Sequence, residues 1–230
     1  MLPFHWLTQT IAFGLGISFS PINIALVALL LLGARPLRRC FTFLVGWVLA
    51  NGGALSLAVA IGGRLSWALQ LGSRGPILMD LLGAGALVGL GLFQLTPAVA
   101  IGEENWAMQL MARLPELEGS SLLALGAGCA LVSPENLVFY AKEGAMLLAD
   151  HTGLRGDLEV GAVFVAVTSS LLLIPPLLWL ASGERLRAPL TALNDWLVHR
   201  AEWLVGVFAL LLGVYMGWEG LHGLAELVAA

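Results

Sequence analysis

The chain has 230 residues, of which 59% are hydrophobic and 11% are charged, whereas a soluble domain carries about 25% charged residues to solvate its surface. This composition, with a mean hydropathy of +0.90, excludes an ordinary soluble domain and places the chain in a lipid bilayer. A formal net charge of -4 leaves no basic surface for a phosphate backbone and argues against nucleic-acid binding.

Six apolar windows between charges have the length of a transmembrane helix, which needs about 20 mostly apolar residues. They run from about Leu7 to Leu32, from Arg39 to Arg64, from Asp80 to Glu103, from about Ser120 to Leu148, from Glu159 to Glu184 and from about Ala201 to Leu221. The first window lacks a basic leading segment and has polar residues in its middle, so we expect a retained span rather than a signal peptide. The sequence therefore predicts an all-α polytopic membrane protein with six transmembrane helices.

Arginines are distributed unequally between the two ends of these spans. Seven would lie on one side, namely Arg35, Arg38, Arg39, Arg113, Arg185, Arg187 and Arg200, and three on the other, namely Arg64, Arg74 and Arg155. Because cytoplasmic loops are enriched in Lys and Arg, we expect a multi-pass protein of the cell's inner (plasma) membrane with both termini outside the cytoplasm.

Small residues recur at helical spacing in three of the spans. They are Gly46, Ala50, Ala54, Ala58 and Gly62 in the second span, Gly85 and Gly89 in the third, and Gly213 and Gly217 in the sixth. Helices in lipid associate through close packing of small residues. We therefore expect these positions to lie at tight helix contacts and assign them no chemistry.

A four-residue pattern, Ser-Pro-x-Asn, occurs once in the first span and once in the fourth. The two copies are Ser20-Pro21-Ile22-Asn23 and Ser133-Pro134-Glu135-Asn136. Each copy lies deep in the first helix of a set of three, and because three is odd, homologous halves would insert in opposite senses. The pattern predicts a 3+3 inverted repeat, with residues 1–100 and 119–230 as the halves and residues 101–118 as the connecting loop. Transporters of this plan bind substrate near the midplane, between the repeats.

The prolines of this pattern should break both spans. A proline inside a helix removes one N–H and clashes with the carbonyl four residues back. Ser is a preferred N-cap and Pro a preferred first helical residue, so a new helix would start at Pro21 and at Pro134, and Asn23 and Asn136 could reach back to the cap. The two free helix N-termini would favour an anionic group of the substrate. The alternative is an ordinary proline kink without function.

Polar side chains within the spans are further candidates for a substrate or ion pathway, because ionisable residues in a membrane are costly and usually functional. Glu135 could pair with a cationic substrate group or carry a proton, and Lys142 lies seven residues further along the same face, with room for substrate or water between them. Alternatively, Lys142 and Glu143 extend to the outer interface. Asn51 is another candidate, or forms a helix-to-helix hydrogen bond. Glu219 and His222 are expected at the interface.

These motifs resemble the lysine-exporter (LysE) superfamily. Ser20 to Asn23, the basic turn Gly33-Ala34-Arg35-Pro36 and the glycine-rich second span are similar to its first hairpin, and Ser133 to Leu137 to its fourth helix, with Ser in place of Asn. The end of the chain, from Gly183-Glu184-Arg185 to Gly213 and Gly217, is most similar to the branch of peptidoglycolipid- or sulfolipid-addressing (GAP or Sap) proteins. The resemblance implies pore residues at Ser20, Pro21, Asn23, Ser133, Pro134, Glu135 and Asn136.

We therefore expect an exporter of a small molecule or envelope lipid with an anionic group, working by alternating access and coupled to an ion gradient. The alternative is a non-transporting accessory subunit of an envelope-lipid export machine, and a homo-oligomer or larger complex fits either. No enzyme, cofactor or metal is expected, because the sequence lacks paired carboxylates, His-rich sets or a Ser/His arrangement. The two cysteines, Cys40 and Cys129, are too few for a disulfide framework.

Overall fold

A computed structural model describes residues 4–69, 74–96, 113–150 and 153–229, and within these ranges the chain forms eight α-helices and no strand. The helices are α1 (Phe4–Ser18), α2 (Pro21–Leu32), α3 (Pro36–Leu69), α4 (Arg74–Leu95), α5 (Ser120–Val132), α6 (Pro134–Asp150), α7 (Gly153–Ser182) and α8 (Arg187–Ala229), with short 3-10 helices at Leu114–Glu116 and Gly183–Leu186. Residues 101–112 of the predicted connecting loop lie outside the described residues.

The helices are long and apolar enough to cross a membrane several times. Four stretches qualify singly, namely Pro36–Arg64, Ile77–Leu95, Arg155–Leu197 and Trp203–Val228, and the count rises to six if the bent pairs α1–α2 and α5–α6 are each one span. Large apolar side chains cover the outer faces, with Leu49 63%, Val214 66% and Val228 82% exposed. Such a surface suits lipid and not water, so the chain is a multi-pass membrane protein, as predicted.

Both Ser-Pro pairs interrupt their spans. The axes of α1 and α2 differ by 60°, and those of α5 and α6 by 73°. Ser20 has extended backbone angles (φ -112°, ψ 102°), but its side chain makes no capping hydrogen bond. The expectation of a side-chain cap at Ser20 is therefore wrong: its backbone carbonyl accepts from the N–H of Ile24, and the fixed φ of Pro21 sets the start of α2.

The two bent spans pack against helices from the other half of the chain. The first span packs through α1 on α7 and through α2 on α8, while the fourth packs through α5 and α6 on α3 and through α6 on α4. The third and sixth spans, α4 and α8, share the most extensive helix contact. Five fully buried aromatic side chains fill the interior of this arrangement: Phe13, Phe43, Trp47, Phe139 and Phe164.

The small residues of α3 face the fourth span. A Cβ added to Gly46 would overlap the backbone carbonyl of Leu123 on α5, and one added to Gly62 would contact the side chain of Leu148 on α6. From the opposite side, a Cβ at Gly126 of α5 would overlap the carbonyl oxygen of Phe43. Because no side chain intervenes, the backbones of α3 and α5 approach closely.

The third span departs from the expected glycine packing. Nothing lies within 4 Å of a Cβ added to Gly85 or Gly89, so these two glycines are not at a tight contact. The reason is helical register. The residues of α4 that approach α8 are Ile77, Leu81, Ala84, Val88 and Gly91, and Gly85 and Gly89 each follow one of these by a single position, which turns them off the contact face.

A buried arginine joins the first hairpin to the segment that precedes the second half. Arg39, on α3, is 8% exposed. Its guanidinium donates to the carbonyl oxygens of Leu114, at 2.5 Å, and Leu117, at 3.2 Å. These bonds hold the first half to the connecting segment at the end of the bundle opposite the chain termini.

Alanine substitution of two glycines on one helix tests the close approach of α3 and α5. We expect Gly126→Ala to destabilise the protein by about 1–3 kcal/mol, because overpacking forces the backbones apart. Gly128→Ala is the matched control, since a Cβ there meets nothing within 4 Å and should be neutral or slightly stabilising through helix propensity. Thermal unfolding in detergent measures both, and equal stabilities would contradict the packing described above.

Candidate functional site

The first break is enclosed by helices of the second half. Ser18, the last residue of α1, accepts a hydrogen bond from the backbone N–H of Leu171 at 2.9 Å, and its hydroxyl lies 3.5 Å from that of Ser170. The ring of Phe19 lies against Phe208 of α8, with ring centroids 4.5 Å apart. The break is therefore covered near the middle of α7 and of α8.

The predicted residues of this break lie inside the protein. Pro21 is buried, Asn23 is 3% exposed and Ser20 is half-buried. Because α2 begins at Pro21, its first N–H groups have no partner within the helix. The N–H groups at the start of α2 therefore lie in the interior of an otherwise apolar helix bundle.

A hydrogen-bonded network closes the second break. The carbonyl oxygen of Ala130, near the end of α5, accepts from Asn136 Nδ2 at 3.0 Å and lies 3.2 Å from the hydroxyl of Tyr140. That hydroxyl lies 3.0 Å from Asn51 Oδ1, and Asn51 Nδ2 donates to the carbonyl of Trp47 at 2.8 Å. Asn136 thus reaches back to the preceding helix and not to the cap as predicted, because the proline break frees carbonyls of α5 that need donors.

The remaining residues of the second motif lie at the bend itself. Ser133 and Glu135 are half-buried, and their side chains lie next to each other. Pro134 is the first residue of α6. The structure therefore brings Asn51 and Asn136 together through Tyr140 and Ala130, and leaves Glu135 at the N-terminal end of α6.

Lys142 pairs with an acid on another span. Its Nζ lies 2.5 Å from Asp80 Oδ2 of α4, and the two side chains are only 4% and 7% exposed. Lys142 is thus held by Asp80, and substrate or water between Glu135 and Lys142 stays a prediction.

Two more hydrogen bonds join the halves nearby. Thr10 of α1 donates to Glu143 Oε1 at 2.8 Å, and Gln9 of α1 donates to Glu219 Oε2 of α8 at 3.0 Å. Lys142 is 3% and Glu143 is 0% exposed, so neither extends to an interface. His222 has an exposed side chain (70%), which fits the expected interfacial position. For Glu219, which is half-buried and accepts from Gln9, that position stays a prediction.

Sequence reasoning missed four residues of these networks: Gln9, Thr10, Asp80 and Tyr140. Asp80 was taken as the boundary of the third span, yet α4 begins at Arg74 and contains it. A signal existed, because a cation within a span, such as Lys142, needs an anion on a neighbouring span. For Gln9, Thr10 and Tyr140 no comparable signal exists, since their partners depend on which helices are neighbours.

A double-mutant cycle tests the network at the second break. Tyr140→Phe and Asn51→Ala should each cost about 1–3 kcal/mol, because each leaves a buried polar group without its partner. The double variant should lose less than the sum of the two. Unfolding midpoints of the four proteins in detergent give the coupling, and additive losses would show that the two side chains do not interact.

The buried ion pair should matter far more than an exposed one. Lys142→Met leaves the Asp80 carboxylate buried and unpaired, which should cost about 3–5 kcal/mol. Arg155→Met is the control, because it breaks the Arg155–Glu159 pair, whose side chains are 94% and 55% exposed, and should cost about 1 kcal/mol or less. Thermal unfolding compares them, and similar losses would mean that the buried pair adds nothing.

Comparison with known proteins gives one family. No match to the chain is found among curated proteins, and none among solved structures. A family model described as Sap, sulfolipid-1-addressing protein, matches residues 11–222, which include both Ser-Pro breaks, the Lys142–Asp80 pair and the contact of Asn51 with Tyr140. On this match over most of its length, the chain belongs to the Sap, sulfolipid-1-addressing protein, family.

Proposed function

We propose that the chain exports an anionic envelope lipid across the cell's inner membrane by alternating access, driven by an ion gradient. The observation that carries the proposal is the pair of spans broken at the same Ser-Pro-x-Asn pattern, with α2 and α6 each beginning inside the bundle. Interrupted spans of this kind form the midplane sites of many transporters.

Reciprocal contacts support an inverted repeat. At the break of the first span, Ser18 accepts a hydrogen bond from Leu171 of α7, which is the second span of the other half. At the break of the fourth span, Tyr140 of α6 is hydrogen-bonded to Asn51 of α3, which is the second span of the first half. If the two halves are interchanged, the packing of α1 on α7 corresponds to the packing of α5 on α3. The third span of each half, α4 and α8, packs on the other. A pseudo-two-fold axis between the halves would produce this pattern.

An anionic substrate group fits the two helix starts. The N-termini of α2 and α6 present the positive ends of their helix dipoles. The family description names a sulfolipid, and a sulfate group is an anion of this kind. Asn23 would bind the headgroup at the first break, and Glu135 would carry a proton or meet a cationic group at the second.

A lipid also needs a place for its acyl chain. An apolar groove of about 470 Å³ lies between α4 and α8 and is open at the side of the bundle; it is lined by Ala84, Gly85, Val88, Gly213, Val214, Gly217, Trp218 and Leu221. An acyl chain would lie in this groove, whereas an amino-acid cargo would need a cavity closed to lipid. The groove therefore favours a lipid substrate.

The excess of arginines at one end of the spans supports a topology with both termini outside the cytoplasm. Substrate would then enter from the end that carries Arg39 and leave toward the end that carries the chain termini. A second candidate function is an accessory subunit that delivers lipid to a larger export machine, because the family description speaks of addressing and not of transport.

Transfer of a fluorescent sulfated glycolipid between the leaflets of vesicles tests the proposal. The purified protein alone should accelerate transfer under an imposed pH gradient, and Asn23→Ala or Glu135→Gln should abolish the acceleration while the protein stays folded. Glu116→Gln is the control, since Glu116 is exposed on the connecting 3-10 helix.

Two outcomes would contradict parts of the proposal. Unchanged transfer in both site variants would remove the role of the breaks. No transfer with the wild-type protein would favour the accessory subunit.

A further inference from the structure

Ionisable side chains gather at the end of the bundle that carries the chain termini. If each bent pair is one span, six crossings place the beginnings of α1 and α4 and the ends of α6 and α8 at this same end. Four helices contribute to the cluster: Gln9 and Thr10 from α1, Asp80 from α4, Lys142 and Glu143 from α6, and Tyr215 and Glu219 from α8.

The carboxyl groups of this cluster outnumber its cations. Asp80, Glu143 and Glu219 supply three carboxyl groups, and among the described side chains that make these contacts Lys142 is the one cation. The Lys142–Asp80 pair is neutral as a unit, which leaves two carboxyl groups. Glu219 is only half-buried, but Glu143 is 0% exposed, and a buried carboxylate without its own cation is strongly disfavoured.

The two oxygens of Glu143 have different surroundings. Oε1 accepts from Thr10, while Oε2 is buried and has no hydrogen-bond partner in the described part of the chain. An ionised carboxylate only accepts hydrogen bonds and its charge is costly to bury, whereas a protonated carboxyl is neutral and carries its hydrogen on one oxygen. Asp80 Oδ1 is also buried and has no hydrogen-bond partner in the described part of the chain, but Lys142 neutralises that carboxylate. Oε2 of Glu143 is therefore the atom on which a proton would sit.

Among the described residues, Lys142 is the one cation that interacts electrostatically with Glu143, and it is bound to Asp80. From α1 the facing groups are Thr10 and Gln9, and from α4 the facing group is Asp80, already held by Lys142. The part of α3 that meets α6 here presents Ala58 and Gly62, with Arg64 exposed beyond them, and α5 carries no charged residue. From α8, Glu219 and Tyr215 lie on the side of Asp80.

We propose that this cluster is a proton-binding site, in which Glu143 holds one proton on Oε2 while the two halves are packed together at this end. Binding forms an O–H bond from a carboxylate and a proton, with no other bond changed. Every hydrogen bond named in the cluster joins α1 or α4 of the first half to α6 or α8 of the second. Separation of the halves would expose Glu143 to water, and it would release the proton.

Release on separation rests on the proposed alternating access, whereas proton binding in the packed state does not. If both hold, opening of this end is coupled to loss of a proton, and closing to its uptake.

Infrared spectroscopy tests the proton directly. The protein is reconstituted at neutral pH in vesicles of an ether-linked phosphocholine, which has no carbonyl band of its own. We expect a carbonyl stretching band of a protonated carboxylic acid, which Glu143→Gln removes. Gln preserves the shape of Glu and can still accept from Thr10, so this variant should fold.

Two matched variants decide which residue carries the proton. Glu159→Gln, at an exposed site of α7, and Glu219→Gln, in the same cluster, should both keep the band. Difference spectra against the wild-type protein isolate the band of each residue, so a proton on Glu135 does not interfere. A wild-type protein without the band, no loss of intensity in Glu143→Gln, or the same loss in Glu219→Gln would each overturn the inference. Lipid transfer measured on the same samples separates the two proposals, because transfer without the band removes the proton site alone, and the band without transfer removes the export function alone.

Discussion

The fold depends on one constraint, which is that hydrocarbon offers no hydrogen bonds to a broken backbone. Pro21 and Pro134 each interrupt a span, and each interruption frees polar groups. At the second break the carbonyl of Ala130 accepts from Asn136 and Tyr140 of the same span, and Asn51 of α3 bonds Tyr140 from the opposite half. At the first break the N–H of Leu171 on α7 donates to Ser18. The two halves are therefore linked by a hydrogen bond at each break.

Close approach of backbones makes these bonds possible. Gly46 and Gly126 let α3 and α5 come together without intervening side chains, and Asn51 lies little more than one turn beyond Gly46. Trp47, between them, donates through its indole N–H to the carbonyl of Thr168 on α7. The small residues of the second span thus bring α3 close enough for Asn51 to form its hydrogen bond with Tyr140 at the break of the fourth span.

The sequence was informative where the physics is local. Apolar windows predict the spans, and a proline after serine predicts each break, because both depend on residues adjacent in the chain. It was uninformative where a residue depends on a distant neighbour. Asp80 was predicted at the edge of a span, but it pairs with Lys142 on a neighbouring span. Gly85 and Gly89 were predicted at a tight contact, but they lie one position off the contact face. The contact of Glu219 with Gln9 could not be predicted, because it depends on which helices are neighbours.

The two ends of the bundle are fastened by different chemistry. At one end Arg39 holds the backbone carbonyls of Leu114 and Leu117, which take up no protons, and at the other end carboxyl groups of Asp80, Glu143 and Glu219 hold α1, α4, α6 and α8. If Glu143 binds a proton as proposed, acidity would change the contacts of the second end and leave these bonds of Arg39 unaffected. The contacts of Arg39 would then be the fixed point about which the second end moves.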